Sequence, residues 1–315
     1  MKKKSILVIA LICLMVLSLT ACGSDRVRMA TGGNTGTYYS YGTAVSQILS
    51  SEVGASFTIE ATGASKANIQ LIASGESDMA IVQNDVVYYA YTGTDLFEGE
   101  KIEGFSAMAG LYAEVCQIIA DPSAGIDSIE DLVGKNVSVG DAGSGVEFNA
   151  KQILAAYGIS FDDINVQNLS FGDSADALKD NKIDAFFCTA GAPTTAVMDL
   201  ASTNDIVVLE IDDAHAQQLI SDYSFYTRYP IPAGTYNGVD EEVWTVAVKA
   251  TFIVSNDLSE DLVYEMTKAL FEKKDDITAA HAKGAELDPA AAIEGISVPL
   301  HPGAEKYYRE IGVIQ

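Results

Sequence analysis

Two glycine-rich segments are the strongest candidates for a ligand site in the sequence. One is TGGNTGTY at residues 31–38, the other is DAGSG at residues 141–145, and each precedes a predicted helix. Glycine permits close approach of the backbone, and the N–H groups at a helix N-terminus attract anions. The alternative is a plain strand–helix turn that needs glycine only for its geometry. The predicted ligand-binding residues of these segments are Gly33, Thr37, Tyr38, Gly143, Ser144 and Gly145.

The same two segments do not match the motifs of common enzymes. Residues 31–38 contain neither a phosphate-binding loop that ends in Lys-Ser/Thr nor the dinucleotide fingerprint G-x-G-x-x-G. Residues 141–145 are close to a nucleophile elbow, but Ala142 stands where that motif needs glycine. The three histidines lie far from Ser144 in the sequence. We therefore predict a protein that is not an enzyme and has no catalytic residue, metal or cofactor. A surface hydrolase that uses Ser144 is the enzymatic alternative.

Four further polar or small residues lie at the ends of predicted strands or the starts of predicted helices. Ser65 opens a helix, Gln83 ends a strand, and Gly191 and Thr194 follow the corresponding strand later in the chain. Ligands of open parallel sheets bind beyond the carboxyl ends of the strands. These four residues are therefore also predicted to bind the ligand.

A repeated order of elements must position these residues. The pattern predicts strand, glycine-rich loop, helix, strand, helix and strand over residues 27–83, and the same order again over residues 136–188. Asp78 and Asp184 precede the last strand of each unit and are predicted to be structural turn residues. Apolar strands that alternate with helices indicate parallel sheets covered on both faces. We predict an α/β fold with two similar lobes, mostly parallel sheets and a ligand cleft between the lobes.

The chain is predicted to cross between the lobes twice. The first crossing is placed near Tyr112, and the return lies between residues 241 and 248. Lobe I would then contain residues 22–112 and 243–315, and lobe II would contain residues 113–242. The two crossings would form the hinge.

The N-terminus has the pattern of a bacterial lipoprotein signal peptide. Lysines at positions 2–4 precede an apolar run over residues 6–19, which is too short to span a bilayer. The segment LTAC at residues 19–22 resembles a lipobox. We predict a signal peptide over residues 1–21, with a lipid on Cys22 that anchors the protein to the outer face of the cell membrane.

Charge and the remaining cysteines limit the possible partners and covalent links. The sequence has 19 Lys and Arg residues against 44 Asp and Glu residues, a formal net charge of −25. Such a chain is repelled by phosphate, which argues against a nucleic-acid partner. Cys116 and Cys188 lie in apolar runs, which favours buried free thiols but leaves a disulfide between them open.

Seven segments, taken in order, resemble the TAXI-type solute receptors of tripartite ATP-independent (TRAP) transporters, over nearly all of the chain after the signal peptide. They are residues 30–42, 71–86, 140–154, 175–197, 231–238, 245–272 and 298–310. The resemblance implies a type II periplasmic-binding-protein fold that closes on one small solute without chemical change. It assigns binding roles to the residues predicted above in ATGG-x-x-GTYY, VQ-x-D and G-x-GSG segments, and to Gly191 and Thr194.

The resemblance also implies a partner and a ligand class. A monomeric receptor would deliver a small anionic or zwitterionic solute, either a glutamate- or glutamine-like amino acid or a dicarboxylate, to a TRAP permease in the membrane. A sensor of the same fold that signals to a membrane protein is the alternative among non-enzymes.

Overall fold

The structure is a computed structural model that describes residues 26–315. The predicted signal peptide and Cys22 lie outside these described residues. Within the described range, ten strands join in one sheet of order β2-β1-β3-β10-β4-β7-β5-β6, with β8 beside β4 and β9 beside β10. The strands are β1 (Arg26–Ala30), β2 (Ser56–Glu60), β3 (Met79–Gln83), β4 (Phe105–Ala120), β5 (Asn136–Ser138), β6 (Asn165–Gln167), β7 (Ala185–Ala190), β8 (Val207–Val208), β9 (Thr227–Ile231) and β10 (Val243–Ser255).

Helices cover both faces of this sheet. They are α1 (Thr37–Val53), α2 (Ser65–Ala73), α3 (Asn84–Thr92), α4 (Gly145–Ala156), α5 (Phe171–Lys179), α6 (Thr195–Ala201), α7 (Asp213–Asp222), α8 (Glu260–Glu272), α9 (Lys274–Ala280) and α10 (Pro302–Glu310). Ser259 caps α8, because its Oγ accepts a hydrogen bond from Leu262 N at 3.2 Å. None of the helices in residues 26–315 is long and apolar enough to cross a membrane.

Two units of the same topology form the two lobes. In lobe I, β1 pairs in parallel with β2 and β3, and in lobe II, β5 pairs in parallel with β6 and β7. Each unit is secured by an aspartate at the same place: Asp78 Oδ2 accepts from Arg28 N at 2.8 Å, and Asp184 Oδ2 accepts from Asn136 N at 2.7 Å. The repeated units and the structural role of both aspartates are therefore confirmed.

Two long antiparallel strands connect the lobes. The first part of β4 pairs with the end of β10 beside β3, while Val115–Ala120 of β4 pairs with β7. In β10, residues 243–247 pair with β9, and residues 250–254 pair with β3. The register between β4 and β10 shifts between Lys249 and Thr251, where a bulge lets paired strands bend. The lobe boundaries of 22–112 with 243–315, and 113–242, remain a prediction.

Three local features shape these elements. β4 runs without a break from Phe105 to Ala120 and so reaches from one lobe into the other. Ser170 caps α5, because its Oγ accepts from Asp173 N at 3.2 Å. Pro230 is tolerated in β9 because, within residues 26–315, β9 pairs with β10 alone.

The two cysteines of the described residues are buried free thiols. Cys116 pairs with Thr189, while Cys188 pairs with the neighbouring Gln117. Successive residues of a strand point to opposite faces of the sheet. The two sulfur atoms therefore lie in different hydrophobic cores, on opposite faces, and no disulfide joins them.

Candidate functional site

A cavity lies between the lobes, at the carboxyl ends of β1, β3 and β5. Its volume is about 500 Å³, part of which is open to solvent. Pockets for small ligands have volumes of about 300–1,000 Å³, so the cavity suits a small solute. The lining residues are Gly32, Gly33, Gly36, Thr37, Tyr38, Ala64, Gln83, Glu114, Asp141, Ser144, Val146, Phe171, Thr189 and Ala190.

The lobe I wall is built from two helix N-termini without capping side chains. Gly36 precedes α1 in an extended conformation, and Ala64 precedes α2 with a φ of 65°. Neither helix start has a side chain that accepts from its first-turn N–H groups. Both cap residues line the cavity, so these N–H groups and the positive ends of two helix dipoles are available to an anionic group there.

A buried carboxyl group forms another part of the wall. Glu114 lies on β4 between the two lobes, and only 1% of its surface is exposed. Tyr38 Oη donates a hydrogen bond to Glu114 Oε2 at 2.5 Å. Burial raises the pKa of Glu114 to about 8, against the opposing effect of this hydrogen bond. The nearby cation Lys283 is bonded to Glu286 at 2.6 Å and does not line the cavity.

A second carboxyl group, that of Asp141, lines the cavity from lobe II. Burial, and then the negative charge of Asp173, raise its pKa. No lysine or arginine is found among the lining residues in the described part of the chain. The cavity therefore presents backbone donors on one side and two carboxyl groups on the other.

The lobes contact each other directly around the cavity. Thr37 Oγ1 donates to Gly191 O at 3.0 Å, and Gln83 Nε2 donates to Asn149 Oδ1 at 2.6 Å. Gly145 makes the second contact possible, because a Cβ at that position would lie 1.7 Å from Gln83 Oε1.

Gln83 belongs to a buried polar network that continues away from the cavity. Asn149 Nδ2 donates to Asp85 Oδ2 at 3.1 Å and to Tyr226 Oη at 2.9 Å, and Tyr226 Oη donates to Gln152 Oε1 at 2.7 Å. Burial raises the pKa of Asp85 to about 6, and its Oδ1 accepts no hydrogen bond from the described residues. The network joins residues of both lobes.

Five of the ten predicted ligand-binding residues line the cavity: Gly33, Thr37, Tyr38, Gln83 and Ser144. Their role in binding stays a prediction. Ser144 also caps α4, because its Oγ accepts from Glu147 N at 3.1 Å. No histidine of the described chain lines the cavity, so Ser144 has no imidazole base beside it.

The other five predicted residues lie behind the wall and support it. Ser65 Oγ accepts from Gln83 N at 3.1 Å. Gly143 N donates to Glu147 Oε2 at 2.6 Å. Thr194 Oγ1 accepts from Gln117 Nε2 at 3.0 Å and donates to Gly191 O at 3.0 Å. Gly145 and Gly191 face the side chains of Gln83 and Thr37.

Sequence reasoning missed several lining residues, of which Glu114 and Asp141 matter most for chemistry. A signal for Glu114 exists, because it is the one charged residue in the apolar run LYAEVCQIIA at residues 111–120. A carboxyl group in a buried strand is costly unless it has a partner or a function. Phe171 and Thr189 carry no comparable signal.

Solved structures of low sequence identity share the architecture of this chain. PhnD1 from Prochlorococcus marinus, in complex with methylphosphonate, matches with a TM-score of 0.58 and 10% identity over 92% of this chain and 99% of that chain. A putative L-cystine ABC transporter protein from Listeria monocytogenes matches with a TM-score of 0.52 and 17% identity over 84% and 98% of the two chains. The alkanesulfonate-binding protein SsuA from Xanthomonas axonopodis pv. citri, bound to MOPS, gives a TM-score of 0.50 and 13% identity over 92% and 85%.

These matches confirm the predicted type II periplasmic-binding-protein fold. Residues 29–312 match the model of the NMT1-like family, which covers both lobes and both crossing strands. The chain therefore belongs to the NMT1-like family.

Proposed function

We propose that the protein is an extracytoplasmic receptor that captures one small solute between its lobes and passes it to a membrane permease. The observation that carries this proposal is the cavity, which is walled by uncapped helix N-termini and bridged by hydrogen bonds between the lobes. Binding energy can then drive closure, since bound solute adds contacts to both lobes. The structural neighbours support it, because those named above are a phosphonate complex, an alkanesulfonate-binding protein and a putative cystine transporter protein.

Reversible capture without chemistry fits the residues around the cavity. Ser144 lacks a neighbouring histidine. Burial is the main cause of the raised pKa values of the two carboxyl groups, so these values do not require a catalytic role. A receptor should release its solute unchanged. Mass spectrometry of the solute before and after incubation tests this, and a new product that disappears in Ser144→Ala would support the hydrolase alternative.

The type of permease is the finer part of the proposal. The sequence resemblance favours a TRAP permease driven by an ion gradient, whereas one structural neighbour is described as part of an ABC transporter. Uptake in cells that carry the receptor and its permease distinguishes them. Loss of uptake on collapse of the ion gradient at constant ATP would support TRAP transport, and loss on ATP depletion at constant gradient would support an ABC partner. Binding without any uptake would favour the sensor alternative.

Attachment to the membrane through Cys22 is also proposed. Incorporation of a labelled fatty acid should occur in the wild-type chain and be lost in Cys22→Ser. Equal labelling of both would contradict the anchor.

The binding site itself can be tested with Thr37→Ala and Gln83→Ala. Each variant removes a hydrogen bond between the lobes. Both should weaken solute binding and keep the fold, as read from thermal shift and circular dichroism. Thr43→Ala is a matched control, because Thr43 lies on the same helix and its Oγ1 donates to Tyr39 O, within lobe I. A solute at about 100 times its Kd should stabilise the wild type by roughly 2.7 kcal/mol. Unchanged affinity in both test variants would place the site elsewhere.

A further inference from the structure

We propose that the cavity selects a zwitterionic amino acid over a dicarboxylate, with Glu114 accepting hydrogen bonds from the ammonium group of the ligand. This inference rests on the proposed receptor function and narrows its ligand class. The charged groups and helix ends that face the cavity are the observations behind it.

Glu114 has the geometry of an ammonium acceptor. One carboxylate oxygen, Oε2, accepts from Tyr38 Oη, and no donor among residues 26–315 reaches the other oxygen, Oε1. Oε1 is not fully enclosed by protein atoms, and Glu114 lines the cavity. A buried carboxylate needs a charge partner or hydrogen-bond donors. An ammonium group in the cavity supplies both.

Residues 26–315 offer no free cation to this carboxylate. Within them, the ammonium group that acts on Glu114 is that of Lys283, which is bonded to Glu286. Asp141 adds a second carboxyl group to the same cavity. A dicarboxylate would place its second anionic group against these two acids, which costs binding energy.

The opposite wall suits a carboxylate. The N-termini of α1 and α2, whose caps are Gly36 and Ala64, provide N–H donors and positive dipole ends without a competing side chain. The α-carboxylate of an amino acid would lie there and its ammonium group at Glu114. The cavity thus matches both charges of a zwitterion.

The affinity for such a ligand should depend on pH. Titratable and charged groups whose fields act on Glu114 or respond to it are Tyr38, Asp85, Tyr112, Cys116, Cys188 and Lys283, and Asp141 shares its cavity. Among them, the acids and the burial oppose ionisation of Glu114, and an ammonium group favours it. Binding of an amino acid therefore releases a proton from Glu114 below pH 8. The Kd should fall as the pH rises from 6 to 8, by up to about tenfold per pH unit.

Matched pairs of ligands test the inference by calorimetry on the purified protein. The pairs differ only in the ammonium group: L-alanine and propionate, L-glutamine and glutaramate, and L-glutamate and glutarate. We expect the amino member of a bound pair to bind at least tenfold more tightly. Glu114→Gln should reduce this ratio towards one. Glu103→Gln is the control, since it makes the same change at an exposed carboxyl group that does not line the cavity and should leave the ratio unchanged.

Three results would overturn the inference. The deaminated acid could bind as tightly as its amino partner, Glu114→Gln could keep the wild-type ratio, or no amino acid could bind at all. Native mass spectrometry of the protein as purified separates these from failure of the receptor proposal. A retained solute without an amino group would leave the receptor standing and refute the ligand class, whereas hydrolysis of a ligand would refute the receptor.

Discussion

Replacing Glu114 with glutamine should stabilise the ligand-free protein at neutral and alkaline pH. Glutamine has the same shape, and its amide oxygen can still accept from Tyr38 Oη, so packing in the wall is kept. The variant removes only the titrating proton and the charge. Any pH-dependent difference from the wild type then reports on this one carboxyl group.

The size of the effect follows from the raised pKa of Glu114. Burial moves this pKa from 4.5 to about 8. Below pH 4.5 the group is protonated in the folded and the unfolded chain and costs nothing. As the pH rises towards 8, only the unfolded chain releases the proton, so the wild type loses stability. The full loss corresponds to roughly 5 kcal/mol. For a chain of this length that is about 10 °C in Tm.

Thermal unfolding followed by circular dichroism at pH 4, 6, 8 and 9 measures this difference. The variant should melt close to the wild type at pH 4 and increasingly above it at higher pH. A difference that stays constant from pH 4 to 9 would refute the reasoning, because Glu114 would then have the same pKa in both states. If instead the Tm of the wild type rose relative to that of the variant as the pH increased, the fold would stabilise the ionised carboxylate of Glu114.

Two further substitutions and one chemical test have defined outcomes. Gly145→Ala should weaken solute binding by roughly 1–3 kcal/mol in calorimetry, because its Cβ would lie 1.7 Å from Gln83 Oε1; Gly63→Ala, where space is free, should bind normally, and equal affinities would contradict this. Asp85→Asn should raise the free energy of unfolding in urea at pH 8 by up to about 3 kcal/mol relative to pH 4, because burial raises the pKa of Asp85 from 3.8 to about 6; a loss at pH 8 would show that its carboxylate is needed. The two free thiols on β4 and β7 should both remain alkylatable after aerobic storage and denaturation, and protection of both would reveal a disulfide.

The repeated units could be predicted because their signals are local. Met79–Gln83 is a fully buried parallel strand, and its sequence is one short apolar run directly after Asp78. The helix predicted after the first glycine loop begins at Thr37, since the glycines and the apolar spacing mark its start. Such patterns depend on residues within one turn or one strand of each other.

The charge of the cavity was missed because the apolar run around Glu114 signals its burial, whereas its place in the cavity wall depends on distant pairings. Glu114 becomes buried only when β7 and β10 flank β4, and both strands come from much later in the chain. Likewise, Ser65 lies at a helix start and Thr194 follows β7, both as predicted, but their hydroxyl groups turn into the wall. Sequence places a residue at the end of a strand and does not say which way its side chain points.

The central position of β10 has a consequence for how the chain assembles. The middle strand of the sheet comes from residues 243–255, and α8, which packs on α1, follows it. The sheet of lobe I is therefore complete only after the last quarter of the chain has supplied β10, which lies between β3 and β4. The strands β5 to β7, in contrast, come from one continuous stretch of the sequence. Closing such a long loop is slow and leaves apolar strand edges open to aggregation in the meantime. A chain truncated before β10 would lose the partner of β3 and the cover of α1 rather than a dispensable tail.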